Sequence, residues 1–287
     1  IVKISVLDVN EKPVVSDASY SVEENTAAGL VLGTLVATDP DKSAPNNTLT
    51  YKVLSGNDAG MFELSAAGKL SVAKNTLDFE KVASYTLTVQ VSDAGTPSHK
   101  DTAIVKISVL DVNEKPVVSD ASYSVEENTA AGLVLGTLVA TDPDKSAPNN
   151  TLTYKVLSGN DAGMFELSTA GKLTLVSDSL DFERVASYTL TVQVSDAGTP
   201  SLKDTAIVKI SVLDVNEKPE IADASYSVEE NNKASITLGT LSATDPDKSS
   251  PNNSLTYKIL SGNSGSFFEV SATGKLSVVK AGFDYET

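Results

Sequence analysis

The sequence repeats itself with a period of 103 residues. Ile1, Ile104 and Ile207 occupy matching positions, and residues 1–103 differ from residues 104–206 at nine positions, without any insertion. The third copy diverges more but keeps the same register. A period this long exceeds those of common solenoids, which are about 20 to 50 residues, and has the size of an independent domain. The sequence therefore predicts domains in tandem, each with its own core.

The repeat divides the chain into four segments. Residues 1–13 match residues 104–116 and are predicted to be the last strand and linker of a preceding repeat. Residues 14–116 and 117–219 are predicted to be complete repeats, and residues 220–287 a partial repeat that lacks its final third. We therefore interpret the chain as a fragment of a longer protein.

Short alternating stretches within each repeat predict β-strands. In "YTLTVQVSD", Tyr85, Leu87, Val89 and Val91 share one face, as a half-buried strand requires. One repeat contains seven such stretches, at residues 20–25, 30–39, 49–56, 61–65, 69–74, 85–93 and 102–112. No helical period competes with them. We predict an all-β fold of tandem seven-stranded, Greek-key, immunoglobulin-like β-sandwiches in an extended array, each made of two antiparallel sheets.

The composition excludes several classes of function. The chain has 38 Asp and Glu against 22 Lys and Arg, a net charge of −16, so we expect no nucleic-acid partner. The absence of cysteine excludes disulfides, cysteine zinc sites and thiol catalysis. The longest apolar stretch, residues 29–37, is too short to span a bilayer, so no membrane insertion is predicted for this fragment. Cations are the natural partners.

Acidic residues are predicted to collect where two repeats meet. If the strands run alternately up and down, the first junction gathers eight carboxylates: Glu24, Asp78, Glu80, Asp111, Glu114, Asp142, Asp144 and Asp196. Two carboxylates about 4 Å apart repel by roughly 4 kcal/mol at an effective dielectric of about 20, so the cluster needs a cation. Oxygen ligands without His or Cys favour calcium, which accepts about six to eight oxygens.

Five motifs recur in a fixed order along the chain. They are "EEN" at 23–25, "ATDPDKSAPNNTLTY" at 37–51, "LDFE" at 77–80, "VSDAG" at 91–95 and "DVNEKP" at 111–116. This set resembles the calcium-binding residues of cadherin repeats, and the resemblance covers essentially the whole chain. It implies the cadherin-type sandwich and about three calcium ions at each complete junction. The near-identical copies and the absence of cysteine resemble the cadherin-like repeats of large bacterial surface adhesins.

The resemblance also implies the ligands at the first junction. Two ions would be held by Glu24, Asp78, Glu80, Asp111, the carbonyl of Val112 and Glu114, with Asp144 shared. The third would be held by Asn113, Asp142, Asp144, Asp196 and the carbonyls of Lys115 and Asn149. Glu114 stands where Asp is common in the family, and its extra methylene is expected to shift the coordination.

The second junction and the start of the chain carry matching residues. The second set comprises Glu127, Asp181, Glu183, Asp214, Val215, Asn216, Glu217, Lys218, Asp245, Asp247 and Asn252. The aspartate after its sixth strand would lie beyond Thr287, which leaves the third ion of this junction without one of its ligands. Upstream, half a junction that would hold one ion is formed by Asn10, Asp39, Asp41, Asn46 and Asp93.

These features predict a protein that is not an enzyme. The acids recur in every copy and point to junctions, and the only histidine, His99, is replaced by Leu202 in the next copy. The resemblance implies a calcium-dependent adhesion protein of the extracellular cell surface, in which ions at the linkers stiffen a rod-like stalk. Its partners would be calcium, neighbouring repeats, and like chains or a host surface ligand. The alternative is that the repeats themselves act as a homophilic or carbohydrate-binding module.

Overall fold

The computed structural model describes residues 1–285, which form β-strands and no helix, as predicted. These residues accordingly include no helix capable of crossing a membrane. The chain divides into two compact units. One consists of Ile1–Val117 with two later segments, Thr141–Leu152 and Ser195–Lys203, and the other holds the remaining described residues.

The first repeat is a sandwich of two main sheets. Its strands are β1 (Val14–Val15), β2 (Ala18–Glu23), β3 (Val31–Thr34), β4 (Ala37–Thr38), β5 (Thr50–Ser55), β6 (Phe62–Leu64), β7 (Lys69–Val72), β8 (Ser84–Ser92) and β9 (Lys100–Leu110). One sheet has the order β2-β9-β8-β5 and the other β3-β7-β6, while β1 pairs with β4.

The prediction of purely antiparallel sheets is wrong, because β2 and β9 run parallel, with Tyr20 opposite Ile107. A repeat whose chain enters at one end and leaves at the other has first and last strands that run in the same direction. The predicted stretch 30–39 is two strands, β3 and β4, separated by a segment in which Val36 is 74% exposed. Strand β1 was not predicted, and Asp17, which follows it, accepts a hydrogen bond from the backbone N–H of Ile104 in β9 at 2.7 Å.

The core lies between the two sheets. Leu87 and Val89 of β8 are fully buried on the face that the alternation predicts, because the same face meets Leu70 of the opposite sheet. At the edge of this core the ring of Phe62 packs edge-on against Tyr85, with centroids 5.1 Å apart. Burial of these side chains is the main source of the stability of each repeat.

The second repeat has the same architecture. Its strands are β10 (Val117–Val118), β11 (Ala121–Glu126), β12 (Val134–Thr137), β13 (Ala140–Thr141), β14 (Thr153–Ser158), β15 (Phe165–Leu167), β16 (Lys172–Leu175), β17 (Ser187–Ser195) and β18 (Lys203–Leu213). Its main sheets have the orders β11-β18-β17-β14 and β12-β16-β15. The third copy contributes β19 (Glu220–Ile221), β20 (Ile236–Thr240), β21 (Ala243–Thr244), β22 (Phe268–Val270) and β23 (Lys275–Val278), with β20-β23-β22 as one sheet and β19 paired with β21.

Residues 1–13 form no strand in the structure, and their assignment as the last strand and linker of a preceding repeat stays a prediction. The matching residues in β9 lie between β2 and β8, and these two strands form hydrogen bonds with their backbone groups. Ile1, Val2 and Ile4 instead have more than four fifths of their surface exposed. An alternating sequence therefore forms a strand in this fold only where sheet neighbours exist.

Candidate metal centre

At the first junction, one carboxylate oxygen each from Glu24, Asp78 and Glu80 lie within 4.8 Å of one another. Glu24 follows β2 and is 3% exposed. Its two oxygens accept hydrogen bonds from the backbone N–H groups of Phe79 at 2.8 Å and Val112 at 2.9 Å. Glu24 therefore holds the "LDFE" loop and the linker together at the end of the first repeat.

A second group of carboxylates shares Glu80 with the first. It consists of Glu80, Asp111 and Asp144, again with one oxygen each within 4.8 Å of the others. Asp144 belongs to the segment 141–152, which is part of the same compact unit as the first repeat. It is buried, and its backbone N–H donates a hydrogen bond to the Asp142 carboxylate at 3.1 Å. This group thus joins acids from the first repeat, the linker and the second repeat.

The residues predicted to hold a third ion also lie together. The Asn113 side-chain amide donates to the Asp196 carboxylate at 3.2 Å and to the Pro200 carbonyl at 2.9 Å. Asp196 is buried and accepts the backbone N–H of Gly198 at 3.0 Å. A Cβ at position 198 would collide with Asn113 Oδ1, so a larger residue there would displace the Asn113 amide from this close approach. The Asn149 amide donates to Asp144 at 3.4 Å.

Buried oxygens without hydrogen-bond partners mark the same residues. At the first junction these are Glu80 Oε2, Asn113 Oδ1 and Asp142 Oδ2, at the second Glu183 Oε1, Asp214 Oδ1 and Asp247 Oδ1, and upstream Asn10 Oδ1, Asp39 Oδ2 and Asp41 Oδ1. Within residues 1–285, Asn232 alone has such atoms outside the predicted ligand set. A buried oxygen without a partner is costly, and cations bound at each of these three places would satisfy the nine oxygens.

Several of these carboxyl groups resist ionisation. Burial, and after it the charges of Glu24, Asp111 and Glu114, raise the pKa of Glu80 to about 7 despite an opposing backbone hydrogen bond. Burial is also the main cause that raises the pKa of Asp142 to about 6. The first junction therefore cannot carry its full negative charge near neutral pH unless a cation is bound.

The ion pair with Lys81 has the opposite effect on Asp78. The Lys81 ammonium lies 2.6 Å from the Asp78 carboxylate and lowers the pKa of that carboxyl group. Lys145 Nζ, from the following repeat, donates a hydrogen bond to the backbone carbonyl of Glu80. Two ammonium groups thus lie at the edge of the acidic cluster.

The second junction reproduces the first two carboxylate groups. They consist of Glu127, Asp181 and Glu183, and of Glu183, Asp214 and Asp247. Asp245 accepts the backbone N–H of Asp247 at 3.1 Å, as Asp142 does for Asp144.

The remaining second-junction residues differ in their contacts. The Asn216 amide donates to the Glu217 carbonyl at 3.3 Å, whereas Asn113 reaches Asp196. Asn252 donates to Asp214 at 3.3 Å. The matching aspartate after the sixth strand lies outside the described residues, so the structure holds no counterpart of Asp196 here.

At the start of the chain the predicted half-junction is assembled. Asn10 donates to Asp93 at 3.3 Å, Asp39 accepts the backbone N–H of Asp41 at 2.9 Å, and Asn46 donates to Asp8 at 3.5 Å. Asp8, Glu11 and Asp41 form a further carboxylate group. Asp8 and Glu11 were not predicted as ligands of this half-junction, although the 103-residue period matches them to Asp111 and Glu114.

The residues predicted to contribute backbone carbonyls lie beside the acids in the linkers. The backbone N–H of Val112 is bound to Glu24, and that of Val215 to Glu127 at 2.8 Å. Lys115 and Lys218 are exposed at the ends of the linkers.

Glu114 and Glu217, which were predicted as ligands, lie outside the acidic groups described above. Each accepts a hydrogen bond from an asparagine instead, Asn25 at 3.0 Å and Asn128 at 3.1 Å. The structure therefore assembles most of the predicted ligand set and leaves the two linker glutamates at its edge.

The structure is that of a tandem-domain β-protein. Its β-sandwich repeats have parallel first and last strands, and acids from two repeats meet at each linker. The cadherin domain model matches residues 18–110, 121–213 and 224–287, and the chain belongs to the cadherin family. Cadherins are cell-adhesion proteins. The predicted family and the predicted all-β fold of tandem β-sandwich repeats are therefore confirmed.

Individual relatives agree with this assignment. The chain is 34% identical to human protocadherin Fat 1 over 282 residues, which cover 95% of the chain and 6% of that protein. A solved structure of mouse cadherin-23 EC22-24 superposes with a TM-score of 0.74 at 28% identity, covering 96% of the chain and 90% of that structure. The protocadherin gamma B4 extracellular domain gives a TM-score of 0.76 at 29% identity over 98% of the chain and 46% of that structure.

The chain spans less than a tenth of the length of the curated relatives that it matches. These relatives come from human, mouse, rat and fruit fly. They give no support to the predicted bacterial adhesin, which stays a prediction.

Proposed function

We propose that this chain is part of a calcium-dependent, extracellular cell-adhesion protein in which calcium ions at the linkers lock consecutive repeats together. The observation that carries the proposal is that nine of the ten buried, unpartnered side-chain oxygens within residues 1–285 belong to predicted ligands. Acidic residues are common on protein surfaces, but buried oxygens without partners are not.

The chemistry of the ligand set favours calcium. All predicted ligand atoms are oxygens, and the set lacks the His and Cys that favour zinc. Three ions would bring six positive charges to the eight carboxylates of the first junction. Magnesium would demand a stricter octahedral geometry and would retain more of its water.

Ion binding would have a mechanical consequence. Glu80 belongs to the first repeat, Asp111 to the linker and Asp144 to the second repeat, so an ion bound by all three would restrict the linker. Without the ion, repulsion among the carboxylates would favour bending of the linker. Sites of this kind fill at extracellular calcium concentrations, which is why we propose a cell-surface location.

The proposal is tested by calorimetric titration of the chain with calcium, followed by small-angle X-ray scattering with and without the ion. We expect saturable calcium binding and no comparable binding of magnesium. With calcium bound, the scattering should indicate a narrower range of maximum dimensions of the chain. Absence of calcium binding would contradict the metal site, and binding without any change in scattering would contradict the stiffening role.

A further inference from the structure

The two linker glutamates are each held by an asparagine from the end of the preceding repeat. Asn25 Nδ2 donates to Glu114 Oε1 at 3.0 Å, and Asn128 Nδ2 donates to Glu217 Oε1 at 3.1 Å. Asn25 and Asn128 have φ angles of 57° and 55°, in the left-handed region that asparagine tolerates better than most residues. The backbone N–H of Asn25 is bound to the Leu77 carbonyl at 3.0 Å, which fixes the residue that presents the amide.

The three linker glutamates of this chain can be compared with one another. The backbone N–H groups of Glu11, Glu114 and Glu217 each donate to an aspartate of the following loop at 2.9 Å, so the three glutamates share the same backbone contact. Their side chains differ. Glu11 lies in a carboxylate group with Asp8 and Asp41, whereas Glu114 and Glu217 belong to none of the groups described. The difference coincides with the hydrogen bond from asparagine.

We propose that Asn25 and Asn128 hold Glu114 and Glu217 away from the ion positions, so that each glutamate becomes a calcium ligand only by giving up this hydrogen bond. This inference rests on the proposed calcium sites. It assigns the asparagines a role as affinity-setting residues that compete with the ion for a ligand. It also gives a function to the extra methylene of glutamate, which extends the carboxylate toward the asparagine.

The test is calorimetric calcium titration of the Asn25→Gly/Asn128→Gly variant in the full chain. Glycine removes the amide and adopts positive φ without strain. Loss of the competing hydrogen bond should tighten calcium binding by about three- to tenfold. Asn231→Gly is the matched control, since Asn231 has a φ of 53° and its backbone N–H is bound to the Phe283 carbonyl at 3.0 Å, while within residues 1–285 its side chain donates to no linker glutamate. This control should bind calcium as the parent chain does.

A second pair of variants separates competition from other effects. In a Glu114→Ala/Glu217→Ala background, the asparagine substitutions should leave calcium affinity unchanged, because the competing ligand is gone. Unchanged or weaker binding by Asn25→Gly/Asn128→Gly in the parent background would overturn the inference. If the parent chain bound no calcium, the proposed function itself would fail, so the two failures are distinguishable.

Discussion

The backbone N–H of Glu114 donates a hydrogen bond to the Asp144 carboxylate at 2.9 Å. The same carboxylate lies within 4.8 Å of oxygens from Glu80 and Asp111. Asp144 therefore binds the linker directly and also contributes to the proposed ion site. The contact between Glu217 and Asp247, also 2.9 Å long, shows that the arrangement is a property of the repeat.

Asp144→Asn should separate these two roles. The amide oxygen can still accept the Glu114 N–H, but the negative charge is lost. We expect calcium affinity at the first junction to fall about tenfold or more, with little change in the stability of the calcium-free chain. Calorimetric titration and thermal unfolding measure the two effects. The control is Asp161→Asn, an exposed aspartate in the turn after β14, and equal affinities of the two variants would contradict the role of Asp144.

The raised pKa of Glu80 predicts how the calcium-free protein responds to pH. In the folded chain that pKa is about 7, against an ordinary value of 4.5, so the folded state binds more protons than the unfolded state between these values. The resulting stabilisation is fully present below about pH 4.5 and is lost as the pH rises through about 7. The melting temperature in calcium-depleted buffer should therefore fall across this window.

Glu80→Gln is the direct check on this prediction. Glutamine does not titrate, so the variant should show a weaker decrease in melting temperature over the same pH range. Glu63→Gln, on the exposed side of β6, should leave the decrease unchanged. Identical pH profiles for the parent chain and Glu80→Gln would show that Glu80 is not the titrating group.

The sequence predicts buried faces and ligand order better than strand direction or side-chain reach. Alternation marks Leu87 and Val89 as core because period-two burial follows from strand geometry. It contains no information on direction, which is why the parallel pairing of β2 with β9 was missed, and the two residues of β1 are too few to show a period. Asn25 and Glu114 lie 89 residues apart in the sequence. Their contact depends on the fold and on the length of the two side chains, which no local sequence pattern encodes.

Asp101 of β9 ties the start of the first repeat to its last strand. Its carboxylate accepts the backbone N–H of Val15 at 3.0 Å and lies 2.6 Å from the Lys12 ammonium. Asp101→Ala removes both contacts and should reduce the free energy of unfolding of the first repeat by about 1–3 kcal/mol. Asp101→Asn keeps an acceptor for Val15 and should cost less. Chemical denaturation measures both, and Asp58→Ala, at an exposed turn position, should cost less than either.

The Lys81 ammonium competes with calcium for the Asp78 carboxylate, from which it lies 2.6 Å away. Lys81→Met should therefore tighten calcium binding at the first junction by up to about fivefold, since an exposed ion pair is weak. At the matching position Arg184 contacts Asp181 through its backbone N–H at 2.7 Å, a bond that Arg184→Met retains, so this control should change affinity less. High salt should shrink the Lys81 effect by screening the ion pair. Equal or weaker calcium binding by Lys81→Met at low salt would show that the ammonium supports the site instead of competing for it.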